Sequence, residues 1–188
     1  MCGGATSRTW VGLLGVVLIG AGCATSQVTP IEGGYRHRRH AYTIGRPDGP
    51  GQAWQRVKLE GAALAFRRPG PESVSLQSGC GRPVAAPVFM ARHLVIGLPG
   101  RTLVAAGPTQ VDGRDAWTQT FDTVQEGISV RVKTVTLVAA GCSFDWILAT
   151  AGAFEPAEQA FDAWWGSFRL DPRYDEGPDE GPDEDRGT

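Results

Sequence analysis

The sequence predicts an α+β domain in which an antiparallel β-meander packs against two helices. Four extended runs joined by short turns predict the meander: 102–111, 114–123, 128–139 and 143–151. Between the first two runs, Asp112-Gly113 is a strong signal for a two-residue hairpin turn. In the third run, Ile128, Val130 and Val132 alternate with polar residues, so we expect a buried and a solvent-facing side of the sheet.

Apolar residues at helical spacing predict the two helices. The first helix covers 83–98, is nearly uncharged, and ends where Pro99 and Gly100 follow. The second helix covers 156–165 and begins on a proline, which suits a first helical turn. An aromatic stripe along and beyond this helix is typical of core packing and consists of Phe161, Trp164, Trp165 and Phe168.

Shorter extended runs predict further strands before the first helix and after the second. These runs lie at 35–44, 56–60, 62–66, 73–78 and 167–170. Glycine and proline dominate the segment 46–51, which we therefore expect to be a loop.

The amino terminus has the pattern of a secretory signal peptide at 1–22. A polar segment with one cation, Arg8, precedes an apolar stretch at 10–21 and a small-residue cleavage site. At about 1.5 Å per residue, the apolar stretch spans about 18 Å as a helix. The hydrocarbon layer of a bilayer is about 30 Å thick, so this stretch is too short for a permanent transmembrane span.

Around the cleavage site the chain resembles a bacterial lipobox, with the sequence LIGAGC at 18–23. The resemblance implies that Cys23 becomes the first residue and carries diacylglyceryl and fatty acyl (palmitate) chains. Gly20 departs from the lipobox pattern, which prefers Leu or Val at that position. Ala24, where Asp would signal retention, implies the periplasmic side of the outer membrane. The alternative is an ordinary secretory signal with an incidental cysteine.

The four cysteines can be assigned if this processing takes place. Cys2 leaves with the signal peptide and Cys23 is acylated, so Cys80 and Cys142 remain as a pair in an oxidising compartment. We expect them to form a disulfide bond that closes a loop of about 63 residues and contributes about 4 kcal/mol. The alternative is two buried free thiols.

The mature chain is expected to contain one domain, at 35–173, between a tether at 23–34 and a disordered tail at 174–188. The tail contains seven acidic residues and one arginine, and it repeats Asp-Glu-Gly-Pro. Such a composition cannot bury apolar surface. The whole chain has 18 basic and 20 acidic residues, a balance that argues against a nucleic-acid-binding protein.

The order of elements and several short motifs resemble the PsbP-like α/β fold of photosystem extrinsic proteins and bacterial envelope proteins. The motifs are Tyr42-Thr43-Ile44, Pro47, Trp54 and Ser167-Phe168, and the resemblance covers 35–170. It implies an accessory or assembly role and brings no catalytic residues. The chain also resembles uncharacterised lipoproteins of deltaproteobacterial type, some of which accompany lipid-transport permeases.

A basic cluster follows the tether and is a candidate for contact with anionic lipid headgroups. It consists of Arg36, Arg38 and Arg39. The alternative is a solvated strand edge protected by charge. His37 and His40 lie within this cluster, three positions apart, so on one strand they would face opposite sides. We therefore expect no metal site here, and nothing in the sequence indicates a cofactor.

Three functional hypotheses remain, since the sequence contains no recognised catalytic motif. The first is a non-enzymatic accessory lipoprotein that docks onto an envelope protein machine. The second is a carrier of a lipid or apolar ligand between the first helix and the sheet, with lining residues Val88, Leu94, Val95 and Leu98. The third is a hydrolase with a non-standard site. Asp145 is the one acid in an apolar context, and burial would raise its pKa or an arginine would pair with it.

Overall fold

The computed structural model describes residues 27–48, 53–81 and 84–172. Two helices and eleven strands occur within these ranges. In chain order they are β1 (Val28–Ile31), β2 (Gly34–His37), β3 (Tyr42–Gly45), β4 (Gln55–Arg56), β5 (Leu64–Arg67), β6 (Glu72–Cys80), α1 (Pro87–Leu94), β7 (Thr102–Val111), β8 (Arg114–Gln125), β9 (Ile128–Ala139), β10 (Cys142–Thr150), α2 (Phe154–Gly166) and β11 (Arg169–Leu170).

The strands form two antiparallel sheets. The large sheet has seven strands in the order β4-β5-β6-β10-β9-β8-β7, so β7 to β10 form the expected meander. The small sheet has four strands in the order β1-β2-β3-β11. This architecture confirms the predicted α+β class, with an antiparallel meander and two packing helices.

The two helices lie on opposite faces of the large sheet. In β10 the side chains alternate, and Phe144 and Trp146 point into the core together with residues of α2 and of the small sheet. On the other face, Nε2 of Gln119 donates a hydrogen bond to the carbonyl oxygen of Ala91 in α1 at 2.6 Å. The domain is therefore layered, with α2 and the small sheet on one side of the large sheet and α1 on the other.

An aromatic cluster joins the small sheet to the large one. The ring of Phe168 lies 5.2 Å from Tyr42, 5.1 Å from Phe144 and 5.0 Å from Trp146, centroid to centroid. Aromatic pairs at these separations contribute beyond their buried area. The predicted stripe is confirmed at Phe161, Trp164 and Phe168, which are fully buried, whereas Trp165 is only partly buried.

Hydrogen bonds fix the end of α2 to β3. Nε1 of Trp164 donates to the carbonyl oxygen of Gly45 at 3.0 Å, and the backbone N–H of Gly45 donates to Oγ of Ser167 at 2.9 Å. A Cβ atom at Gly45 would lie 3.0 Å from that Oγ atom, so glycine permits the close approach. Both backbone groups of Gly45 are therefore satisfied: its carbonyl oxygen by Trp164 of α2, and its N–H by Ser167, the residue after α2.

Two expectations about the amino-terminal part were wrong. Residues 28–34 were assigned to the tether, but they form β1, the turn at 32–33 and the first residue of β2. The single predicted strand at 35–44 is two strands, β2 and β3, connected by a turn at 38–41. Ala41 in that turn has a φ of 45°, a left-handed conformation that a continuous strand does not contain.

The first helix is shorter than expected. It begins at Pro87, because a proline suits the first turn and disfavours helical conformation in the residue before it. It ends at Leu94, four residues before the predicted end, and the chain then turns through Gly97 and Gly100. The predicted strand at 56–60 is also reduced, to the two residues of β4.

The expected disulfide bond is present. Cys80 and Cys142 lie directly opposite each other in the register of β6 and β10, with a Cα–Cα distance of 4.1 Å and an S–S distance of 2.08 Å. The bond therefore links two neighbouring strands of the large sheet, at one end of both strands.

Removal of this disulfide should destabilise the domain by about 4 kcal/mol, because it frees a loop closed over 62 positions in the unfolded chain. We expect the double variant C80A/C142A and the reduced wild-type protein to unfold at similarly lowered urea concentrations. The double variant should not respond to reductant. An unchanged unfolding midpoint on reduction would contradict this prediction.

Candidate functional site

The outer face of the small sheet carries a row of polar residues that includes two arginines. Arg36 lies opposite Thr43 in the register of β2 and β3, and Arg169 of β11 lies on the other side of Thr43. Residues directly opposite on neighbouring strands share one face of the sheet. Arg36 and Arg169 are exposed, and so is Arg38, which follows β2. We call Arg36, Arg38 and Arg169 the basic face.

Strand alternation explains why these arginines point outward. Tyr35 and His37, the neighbours of Arg36 in β2, are 7% and 4% exposed and face the aromatic core. Side chains alternate between the two faces of a strand, so the residue between them must face solvent. The local sequence Tyr-Arg-His thus places aromatic rings on the inner side and a guanidinium on the outer side.

The basic face borders a groove of about 510 Å³. Thr43 and Leu170 also line this groove, and Asp171 supplies a carboxylate. Arg169 donates to the carbonyl oxygen of Gly166 at 2.9 Å, and its Nε lies 3.8 Å from Oδ1 of Asp112. With three guanidinium groups and one carboxylate among its lining residues, the groove favours anions.

Two histidines stack beneath the basic face. Their rings lie 4.3 Å apart and within 13° of parallel, and the backbone N–H of His40 donates to Nδ1 of His37 at 3.0 Å. The expectation that these residues face opposite sides was wrong, because β2 ends at His37 and the turn brings His40 back over it. The third predicted cation of the cluster, Arg39, is exposed in that turn and does not line the groove.

Burial lowers the pKa of both histidines in this pair. Burial, the neighbouring His40 and the charge of Arg39 lower the pKa of His37 to about 4. Burial and Arg39 also lower the pKa of His40, whose Nδ1 lies 2.7 Å from Oγ of Ser78 in β6. Burial raises the pKa of the Tyr42 hydroxyl, an effect that Ser78 partly offsets. No group of three or more possible metal ligands occurs within 27–48, 53–81 and 84–172.

The predicted apolar-ligand residues are only partly brought together. Val95 is buried and borders a groove of about 500 Å³ between the end of α1 and strands β7 and β8. Val88, Leu94 and Leu98 are partly buried and do not line that groove. The other apolar residues of this groove come mainly from the sheet and the turn after α1, and the sequence interpretation did not single them out: Ile96, Leu103, Trp117 and Phe121.

Asp145 lies on the large sheet, on the face that carries α1. Burial raises its pKa, as expected for an acid in apolar surroundings, and Oγ1 of Thr136 donates to its Oδ1 at 2.7 Å. The hydrogen bond offsets part of the effect of burial. Since Thr136 supplies the contact from the neighbouring strand, the carboxyl group cross-links β9 and β10.

Several predicted features lie outside the described residues. These are the signal peptide at 1–22, the acylation site Cys23 and the acidic tail at 174–188. Among the residues that the structure does describe, no helix is long and apolar enough to cross a bilayer.

Comparison with solved structures shows which known fold the domain has. The solution structure of cyanobacterial PsbP from Synechocystis matches with a TM-score of 0.56 at 16% identity, covering 80% of this chain and 96% of that chain. The domain has a PsbP-like fold. The Ran-binding protein Mog1p of Saccharomyces cerevisiae also matches this PsbP-like domain, with a TM-score of 0.50 at 12% identity over 72% of this chain and 93% of that chain.

A further match is LpqN of Mycobacterium tuberculosis, described as involved in cell envelope biogenesis. Its TM-score is 0.49 at 18% identity, and the match covers 78% of this chain and 91% of that chain. No protein-family model and no curated protein matches the sequence. At these identities the matches to cyanobacterial PsbP and Mog1p show the fold alone, and the function must be argued from the surfaces of the domain.

The low pKa of His37 makes the stability of the domain pH-dependent. Because the folded state disfavours the protonated ring, the unfolded state binds more protons below about pH 6.5, and stability is lost as the pH falls towards about 4. We expect His37 to account for about 3 kcal/mol of that loss, because its pKa falls from 6.5 to about 4 and each pKa unit corresponds to about 1.4 kcal/mol.

Urea unfolding at a series of pH values would measure this loss. In H37N the amide oxygen of the asparagine can still accept a hydrogen bond from the backbone N–H of His40. Asparagine does not titrate, so the free energy of unfolding should depend less steeply on pH. The matched control is H93N, which removes an exposed histidine on α1 and leaves the buried histidine pair intact. Equal slopes for wild type and H37N would contradict the assignment.

Proposed function

We propose that this protein is a lipid-anchored, non-enzymatic accessory protein of the bacterial cell envelope. In this proposal the signal peptide is removed and Cys23 is acylated, so that the PsbP-like domain lies at the periplasmic side of the outer membrane. The basic face then lies against anionic headgroups. The opposite side of the domain is left available to an envelope protein partner.

The position of the first described residue supports this arrangement. The backbone N–H of Arg38 donates to the carbonyl oxygen of Gln27 at 3.0 Å, so the start of the domain is held beside the basic face. Gln27 follows Cys23 by four residues, and four residues span at most about 14 Å when fully extended. An acyl anchor on Cys23 therefore keeps the basic face within reach of the headgroups.

Electrostatics would orient the domain, and the acyl chains would hold it. Each cation near an anionic membrane surface contributes about 1 kcal/mol, and the contribution decays within a Debye length. The acyl chains contribute about 0.8 kcal/mol for every buried methylene, so two or three chains give a lasting attachment. Loss of the arginines should therefore change the orientation of the domain without releasing it from the membrane.

Acylation of Cys23 can be tested by metabolic labelling with an alkyne fatty acid and by the intact mass of the mature protein. We expect labelled wild-type protein that begins at Cys23, and no label in C23S. The variant C2S is the matched control, because Cys2 lies in the predicted signal peptide and its loss should leave labelling intact. Label that persists in C23S, or an intact unmodified amino terminus, would refute the anchor.

The membrane-facing orientation can be tested with the full lipidated protein in vesicles. A cysteine introduced as T43C lies between Arg36 and Arg169 and should react with a water-soluble maleimide several-fold more slowly on phosphatidylglycerol than on phosphatidylcholine vesicles. High salt, or the added charge reversals R36E/R38E, should abolish the difference, because screening weakens surface electrostatics.

Two controls accompany this labelling experiment. A cysteine introduced as Q125C, at the exposed hairpin between β8 and β9, should react equally on both lipids. The charge reversal K58E, which changes an exposed residue away from the groove, should leave the slow reaction of T43C in place. If T43C reacts at the same rate on both lipids, the basic face does not lie on the membrane.

A further inference from the structure

A second groove lies on the face of the large sheet opposite the small sheet. It has a volume of about 500 Å³, within the range of small-molecule sites, and runs between the end of α1 and strands β7 and β8. Trp117 and Phe121 form part of its floor on β8. Leu103 lies opposite Phe121 in the register and forms part of the rim on β7.

The rim of this groove exposes large apolar side chains. Ile96 is 62% exposed at the end of α1, and Leu103 is 58% exposed on β7. Single exposed apolar residues are ordinary, but neighbouring ones around a concave surface indicate a binding site. Val95 and Phe121 lie beneath them and are only 3% and 7% exposed, and the amide of Gln119 also lines the groove. An apolar chain in the groove would therefore contact mainly Ile96, Leu103 and Trp117.

The same groove is positively charged. Arg92 and Arg101 both line it together with His93, and its lining includes no carboxylate among the described residues. A guanidinium of Arg101 donates to the carbonyl oxygens of Ile96 and Leu98 at 3.3 and 3.4 Å, which holds it at the end of the helix. Since a guanidinium has five N–H donors, it can also bind an anion there.

Strand β7 is a poor template for another strand. It lies at the edge of the large sheet, but its register shifts between Leu103 and Ala105, and Pro108 has no N–H to donate. A bulge and a proline are devices that prevent strand addition at an edge. The apolar rim therefore fits a flexible apolar chain better than a partner's β-strand.

We propose that this groove binds an anionic amphiphile, meaning a molecule with one apolar chain and a carboxylate or phosphate head. The chain would lie over Leu103, Trp117 and Phe121, and the head would contact Arg92 and Arg101. A neutral lipid would supply no counter-charge for the two guanidinium groups, and a free phosphate would leave the apolar floor exposed to water. The site lies on the face of the large sheet that carries α1, opposite the small sheet and its basic face. It therefore goes beyond the proposed function and does not depend on it.

The test is photoaffinity labelling of the full lipidated protein, reconstituted in phosphatidylcholine vesicles, with a fatty acid that carries a diazirine. We expect adducts on peptides from the end of α1, β7 and β8. Unlabelled palmitate should compete, whereas hexadecanol and inorganic phosphate should compete much less. Equal competition by hexadecanol would overturn the anionic part of the proposal.

Matched variants separate this groove from general membrane labelling. The adduct yield should fall roughly tenfold in L103D, as expected from the loss of one apolar contact and the added charge. The control V124D alters a residue of similar exposure, 53% against 58%, outside the groove and should keep the yield. R92Q/R101Q should also weaken labelling by the fatty acid.

Two outcomes would overturn the proposed site. One is a set of adducts confined to peptides of the small sheet, which would reflect proximity to the bilayer alone. The other is labelling of α1, β7 and β8 that L103D leaves unchanged. Neither outcome bears on acylation of Cys23 or on the reactivity of T43C, so a failure of this proposal is distinguishable from a failure of the proposed function.

Discussion

The packing of Phe168 holds the small sheet against the large one. Its ring contacts Tyr42 of the small sheet and Phe144 and Trp146 of the large sheet. With the hydrogen bonds at Gly45, it fixes which side of the small sheet faces inward. Because side chains alternate along each strand, the inward position of the aromatic rings determines the outward position of the arginines.

The layered arrangement separates two kinds of surface chemistry. The small sheet presents guanidinium groups with polar neighbours, a combination suited to a flat anionic surface. The groove beside α1 combines guanidinium groups with large apolar side chains, a combination suited to an amphiphile. The large sheet lies between them, so a domain that rests on the membrane through the small sheet directs the α1 groove away from that membrane.

Local patterns in the sequence predicted the features that depend on near neighbours. The alternation in β9 and the aromatic stripe of α2 are periodic, so the meander and the buried face of the helix could be predicted. Contacts between segments that are far apart in the sequence could not be predicted in this way. The segment of β1 is short and contains a proline, and it becomes a strand only because β2 folds back beside it.

In the candidate sites, too, local patterns predicted single residues but not the contacts between distant segments. Arg36 was predicted to lie at a surface from its local context, but its partner Arg169 comes from a strand more than a hundred residues later. The stacking of His37 on His40 depends on a turn that the sequence interpretation treated as strand. The apolar site was predicted between the first helix and the sheet with lining residues named only on the helix, whereas β7 and β8 also line the observed groove and α1 ends at Leu94.

Amide hydrogen exchange of the full lipidated protein on vesicles would show whether the small sheet faces the membrane. We expect slower exchange on phosphatidylglycerol than on phosphatidylcholine, confined to the turn at 38–41 and to the edge strand β1. Added protection over α1 and β7, with none in the turn at 38–41, would contradict this expectation.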